Sequence, residues 1–171
     1  MSNANSFVAV LMGSDSDLGT MQGCMDVLAK LDVPCEVHIT SAHRTPDVTR
    51  SYVIDAVERG CCVFIAAAGM AAHLAGAVAA QTTRPVIGVP IDSGPLKGMD
   101  ALLSTVQMPA GVPVAGVAIG SAGAKNAAFL AAQMLGLADA ELAARLRAER
   151  EANAESIAAK DRELQKKLQS R

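Results

Sequence analysis

The chain has 171 residues and a mass of 17.5 kDa, the size of one domain with a terminal extension. Hydrophobic residues make up 51% and charged residues 19%, so the chain can bury a core and is not compositionally disordered. A formal net charge of -2, an aromatic content of 2% (Phe7, Tyr52, Phe64, Phe129) and no Trp argue against a strong pull toward nucleic acid or acidic membranes, and against aromatic platforms for single strands or a flavin.

Residues 1–6 (MSNANS) are polar, lack a signal-peptide layout and are predicted to be a disordered tail. Residues 7–13 (FVAVLMG) read as a first strand buried on both faces. Ser14, Asp15, Ser16 and Asp17 are good helix N-caps, and a helix follows to about Leu31 with Met21, Met25, Leu28 and Leu31 on one stripe. Cys35 to Thr40 is a second strand. Ser41 to Thr45 is a loop, and Pro46 suits the first turn of a helix that Gly60 stops after Arg59. Cys61 to Ala68 is the third strand, Met70 to Gln81 an Ala-rich helix, and Pro85 to Val89 the fourth strand. A long connection over 91–113 is rich in Gly and Pro, with a short helix near 98–104. Val114 to Ile119 is the fifth strand and 123–136 a further helix.

Five β-α units in series predict an α/β fold: a parallel sheet with helices on both faces, binding its ligand past the carboxyl ends of the strands. The loops after strands 1, 2 and 3 then share one rim. Residues 7–138 form this domain. Residues 139–171 hold 15 of the 32 charged residues and thinly spaced Leu142, Leu146, Ile157, Leu164 and Leu168, which predicts a long solvated helix or helix pair, either a plain surface element or an arm on a neighbouring subunit. The four cysteines, Cys24, Cys35, Cys61 and Cys62, form no C-x-x-C and are expected to be buried free thiols, as suits a reducing cytoplasm. No uninterrupted apolar run is long enough to span a membrane.

Three loops carry chemistry-bearing residues. Gly13-Ser14-Asp15-Ser16-Asp17 joins a buried strand to a helix N-terminus, which offers free N–H groups to a phosphate; the same residues also serve as plain caps. A dinucleotide or triphosphate is not expected, because the glycine spacing and the P-loop lysine are missing. Ser41-Ala42-His43-Arg44 sets a guanidinium suited to phosphate beside an imidazole suited to proton transfer near neutrality. Gly69-Met70-Ala71-Ala72-His73-Leu74 is small and poor in donors, so its backbone can approach a flat ring. His73 is assigned a helix-end structural role slightly ahead of a ligand contact. His38, inside strand 2, is read as structural, and Lys125 and Asn126 as surface or capping groups. Metal-ligand spacing is missing, so no metal is expected, and the residues together suggest no electron-carrying cofactor. The residues alone point to proton-transfer chemistry on a phospho-sugar or mononucleotide.

The series MGSDSD (12–17), SAHRTP (41–46), AAGMAAHLAG (67–76), IGVP (87–90) and S-x-VQMP-x-GVPV (104–114) resembles, in order and spacing, the class I N5-carboxyaminoimidazole ribonucleotide mutases of bacterial purine biosynthesis. The likeness runs from about residue 8 to 136. It implies a flavodoxin-like three-layer sandwich, a cytoplasmic octamer with C-terminal helices reaching onto neighbours, and no cofactor. The implied reaction moves a carboxylate from the exocyclic nitrogen to the ring carbon of aminoimidazole ribonucleotide. It casts His43 as the acid/base, and Gly13, Ser14, Asp15, Asp17, Ser41, Ala42 and Arg44 as substrate contacts. Gly69, Met70, Ala71, Ala72, His73 and Leu74 would wrap the imidazole and the migrating carboxylate. Two positions depart from the common GGAAHLPG form: Met70 stands for Gly and Ala75 for Pro. The sister class, which carboxylates aminoimidazole ribonucleotide directly, typically carries a G-R-S-N pattern and a Lys after the loop His. Here Arg44 follows His43 and Ala71-Ala72 precede His73, which favours the mutase class. A non-catalytic nucleotide-binding module is the remaining alternative.

Overall fold

A computed structural model describes residues 6–169. Residues 1–5, and with them nearly all of the expected disordered tail, lie outside the described residues. Five strands form one sheet, β1 (Phe7–Met12), β2 (Cys35–Ile39), β3 (Cys61–Gly69), β4 (Val86–Ile91) and β5 (Ala115–Gly116), in the order β2-β1-β3-β4-β5 with every pairing parallel. Among the described residues there are also one 3-10 turn (Asp15–Asp17) and six α-helices: α1 (Leu18–Lys30), α2 (Pro46–Arg59), α3 (Leu74–Ala79), α4 (Met99–Val106), α5 (Gly120–Gly136) and α6 (Ala140–Gln169). This is the α/β flavodoxin-like arrangement expected from the sequence.

The strand alternation explains the layers. Val8, Val10 and Met12 of β1 face Met21, Cys24 and Leu28 of α1 and the Ala124–Ala132 stripe of α5. Phe7, Ala9 and Leu11 face Val53 and Ala56 of α2 and Leu74, Ala75 and Val78 of α3. Every residue of β1 is buried, as a strand covered on both faces requires. Each large side chain removed from water in this way contributes roughly 1.5–3 kcal/mol. The alanine stripe lets α5 sit close to the sheet and to α1.

Local signals located some boundaries well. Pro46 opens α2, and Gly60 closes it in a left-handed conformation at φ 109°. Others moved. The helix expected over 70–81 covers only Leu74–Ala79, because Met70 turns left-handed at φ 53° and the Ala72 N–H bonds back to the Met70 carbonyl at 2.8 Å. The fifth strand shrinks from 114–119 to two residues, pairing only with Ile87 and Gly88 of β4. Helix α5 starts three residues early, at Gly120, and residues 140–169 form one helix rather than a pair. The thiols also need a correction: Cys24 and Cys61 are buried, but Cys62 is half-buried and Cys35 exposed, since β2 is an edge strand whose residues lack full cover. Burial pushes the Cys24 thiol up to about 12 and Cys61 up to about 11, so these two are poor nucleophiles.

Candidate active site

The strand order puts the loops after β2, β1, β3 and β4 side by side along one rim. They enclose an open cavity of about 450 Å³. Its wall holds Gly13, Ser14, Ser16 and Asp17 from the first loop and Ser41, Ala42, His43 and Arg44 from the second. Ala68 to Ala71, His73 and Leu74 come from the third, and Ser93 follows β4. Twelve of the fourteen residues singled out in the sequence therefore border one cavity. Asp15 and Ala72 do not. Asp15 is exposed and accepts from the Ser16 N–H at 3.1 Å, while Ala72 is buried behind the loop it helps to fold.

The first loop is a reciprocal cap. The Ser14 N–H donates to the Asp17 carboxylate at 3.1 Å, and the Ser16 N–H donates to the Ser14 hydroxyl at 3.3 Å. Capping and a ligand contact thus draw on the same side chains. Asp17 is 5% exposed, and burial raises its pKa, against the opposing hydrogen bonds from Ser16 and the backbone. A buried carboxylate at the cavity wall is a ready acceptor for hydroxyl groups.

The second loop is braced from beneath. The Thr40 and Thr49 hydroxyls lie 2.6 Å apart, the Ser41 N–H donates to the Thr45 hydroxyl at 2.9 Å, and the Thr45 N–H to the Ser41 carbonyl at 2.9 Å. Arg44 is tied down at both ends: its N–H bonds the Ser41 hydroxyl at 3.2 Å, and its Nη2 donates to the Gly13 carbonyl at 3.2 Å. That second bond leaves most of the guanidinium donors for an anion.

His43 and His73 meet across the cavity, their ring centroids 5.4 Å apart. His73 sits at the N-cap of α3, yet its side chain makes no capping bond, which removes the structural role favoured from the sequence. His38 lies outside the cavity with its ring centroid 4.3 Å from that of Tyr52. Ala68 and Ser93 border the cavity without having been singled out, and Ser16 was named only as part of the first loop. Ser93 follows β4 in a stretch with no motif-like spacing, so only the sheet order brings it in. It belongs with Gly69: a Cβ added at Gly69 would stand 1.9 Å from the Ser93 hydroxyl oxygen, so only glycine admits that contact. Among the described residues, no group of three or more His, Cys, Asp or Glu is placed to hold a metal ion.

Residues 7–156 match the family model described as AIR carboxylase. The N5-carboxyaminoimidazole ribonucleotide mutase of Mycobacterium tuberculosis (strain ATCC 25618 / H37Rv) is 56% identical over 159 residues, covering 93% of this chain and 90% of that protein. The enzyme of the same name from Bacillus subtilis (strain 168) is 54% identical over 150 residues, covering 88% of this chain and 93% of its own. Among solved structures, Treponema denticola PurE superposes with a TM-score of 0.83 at 32% identity, over 93% of this chain and 98% of that one.

Proposed function

Because the chain belongs to the AIR carboxylase family, we propose that it is an N5-carboxyaminoimidazole ribonucleotide mutase of purine biosynthesis, and that the rim cavity is its active site. The observation that carries this reading is the placement of His43, His73 and Arg44 around one cavity at the carboxyl edge of the sheet. A mononucleotide needs an anion site at one end and a flat, close-walled site at the other. Arg44 and Ser41 supply the first, and the Gly69–Leu74 backbone supplies the second. Asp17 and Ser14 stand between them, where ribose hydroxyls would fall.

In the reaction, the carbamate N–C bond breaks and its electron pair stays on the exocyclic nitrogen. Protonated His43 gives that nitrogen a proton as carbon dioxide leaves. The electron-rich ring carbon then attacks the carbon dioxide, forming the new C–C bond. Neutral His43 takes the proton displaced from that carbon, which restores its starting state. Substrate and product are isomers, so atoms and electrons balance with no co-reactant. Arg44 holds the phosphate and so fixes the ring relative to His43.

Assembly is part of the proposal: a homo-octamer in the cytoplasm, with residues 7–138 as the catalytic body and 139–171 as an arm packing on neighbours. In support, Ile157, Leu164 and Leu168 are exposed on α6, and Leu96, Met99, Leu103 and Val106 on and before α4.

The reaction class is tested by supplying N5-carboxyaminoimidazole ribonucleotide without added bicarbonate. Conversion to the ring-carboxylated isomer at full rate is the expected result. Turnover of aminoimidazole ribonucleotide that requires added bicarbonate, with the carbamate inert, would instead identify a direct carboxylase.

A further inference from the structure

We propose that Met70 is the specificity-determining wall that keeps released carbon dioxide inside the cavity, by bridging the loop after β3 to the loop after β4. This inference rests on the carboxylate-transfer reading above.

The sheet order sets out the geometry. Loops follow one another along the rim in the order β2, β1, β3, β4. Neighbouring strands lie about 4.8 Å apart, so the Arg44 loop and the Ser93 loop are rooted at opposite ends of the cavity. In a ribonucleotide the phosphate and the heterocycle extend from opposite ends of the ribose. With the phosphate on Arg44, the heterocycle and its migrating carboxylate fall toward β3 and β4.

At that end of the open cavity, two contacts join the loops. Ser93 lies against Gly69, as described above. Beside it, the Met70 side chain reaches Gly94: a Cβ added there would stand 3.3 Å from Met70 Cγ and 3.7 Å from its sulfur. Met70 therefore spans from one loop to the next.

Folding stability does not account for this residue. Met70 holds φ 53°, a conformation that disfavours any side chain. Its side chain remains 58% exposed, so burial repays little of that strain. Strain kept at a cavity wall without a matching gain in packing points to a role in the reaction. Carbon dioxide is small and neutral, and no ion pair can hold it. Its fate depends on whether the ring carbon captures it before it escapes. A thioether chain across the gap slows escape and offers water no hydrogen-bonding foothold.

The test uses the full-length protein, N5-carboxyaminoimidazole ribonucleotide and labelled bicarbonate, with mass analysis of product at low conversion. Met70→Gly should place several-fold more label in the product than the parent does, while melting at a higher temperature because its strain is gone. Met70→Ala keeps the left-handed strain without the bridge, and should leak as much without the thermal gain. Met70→Leu should hold label uptake near the parental level. A merely structural residue would change rate or melting temperature without changing the labelled fraction. Parental label uptake in both the Gly and Ala variants would overturn the proposal, as would a Leu variant that leaks like Gly. Failure of the parent to turn over would instead overturn the mutase reading, and would be seen before any variant is compared.

Discussion

Asp17 is the one buried charged side chain among the described residues, and it borders the candidate cavity. Burial raises its pKa, so the fold binds the proton more tightly than the unfolded chain does. The sign follows. The stability linked to this proton is complete below the ordinary aspartate range and is lost as pH rises through the raised value. Above that raised value the ionised carboxylate is therefore a burden. Asp17→Asn should melt at or above the parental temperature at neutral pH, and the difference should shift in the parent's favour as the solution is acidified. Thermal melts across pH test this. A variant that is less stable at neutral pH by more than about 1 kcal/mol would mean that the cap to the Ser14 N–H outweighs the buried charge. His43 and Arg44 were legible in the sequence because their chemistry is unusual at the end of a strand. Ser93 was not, because a lone serine carries no spacing signal and its place comes from the β3–β4 pairing.

At the scale of elements, local chemistry located what it controls. Pro46 and Gly60 bracket α2 to the residue, since a fixed φ and a left-handed cap act within one turn. The start of α3 depends on a left-handed turn at Met70 and the length of β5 on its pairing with β4, and there the sequence pattern misled. Ala-rich sequence continues through 70–73, but the left-handed Met70 turns the chain first. The edge strand β2 depends on a polar clasp. Arg59 forks onto Glu36 and also pairs with Asp55 at 2.7 Å, and the Tyr52 hydroxyl donates to Glu36 at 3.0 Å. The Arg59 guanidinium holds the Glu36 carboxyl below its usual range. That contribution is present above the ordinary glutamate range and lost as pH falls through the lowered value. Glu36→Gln should therefore lower the melting temperature at neutral pH, and the gap should close in acid. A pH-independent gap in the melts would assign the effect to packing against Tyr52 and not to charge.

Across the whole molecule, α6 is the longest helix among the described residues and is almost wholly exposed beyond its first turns. Thirty residues of helix extend about 45 Å. Its first turns are anchored by buried Leu142, by Arg145 Nε bonding the Leu31 carbonyl at 2.9 Å, and by a Lys30–Glu149 ion pair at 2.6 Å. Beyond them, Ile157, Leu164 and Leu168 are exposed. The charge pattern marked this segment as solvated, while its single-helix form and point of attachment emerged only with the fold. Removing residues 154–171 should leave the body's thermal stability nearly intact and reduce the assembly mass seen by light scattering. An unchanged mass would remove the arm from assembly.

The proposed role of His43 is to move the proton in this cavity, with binding carried by other groups. It is tested most directly by measuring turnover and substrate affinity together for His43→Asn, which keeps a polar side chain of similar reach. Turnover should be lost while affinity stays within a few-fold of the parent's. Parental turnover in the variant, or affinity lost in step with the rate, would contradict it.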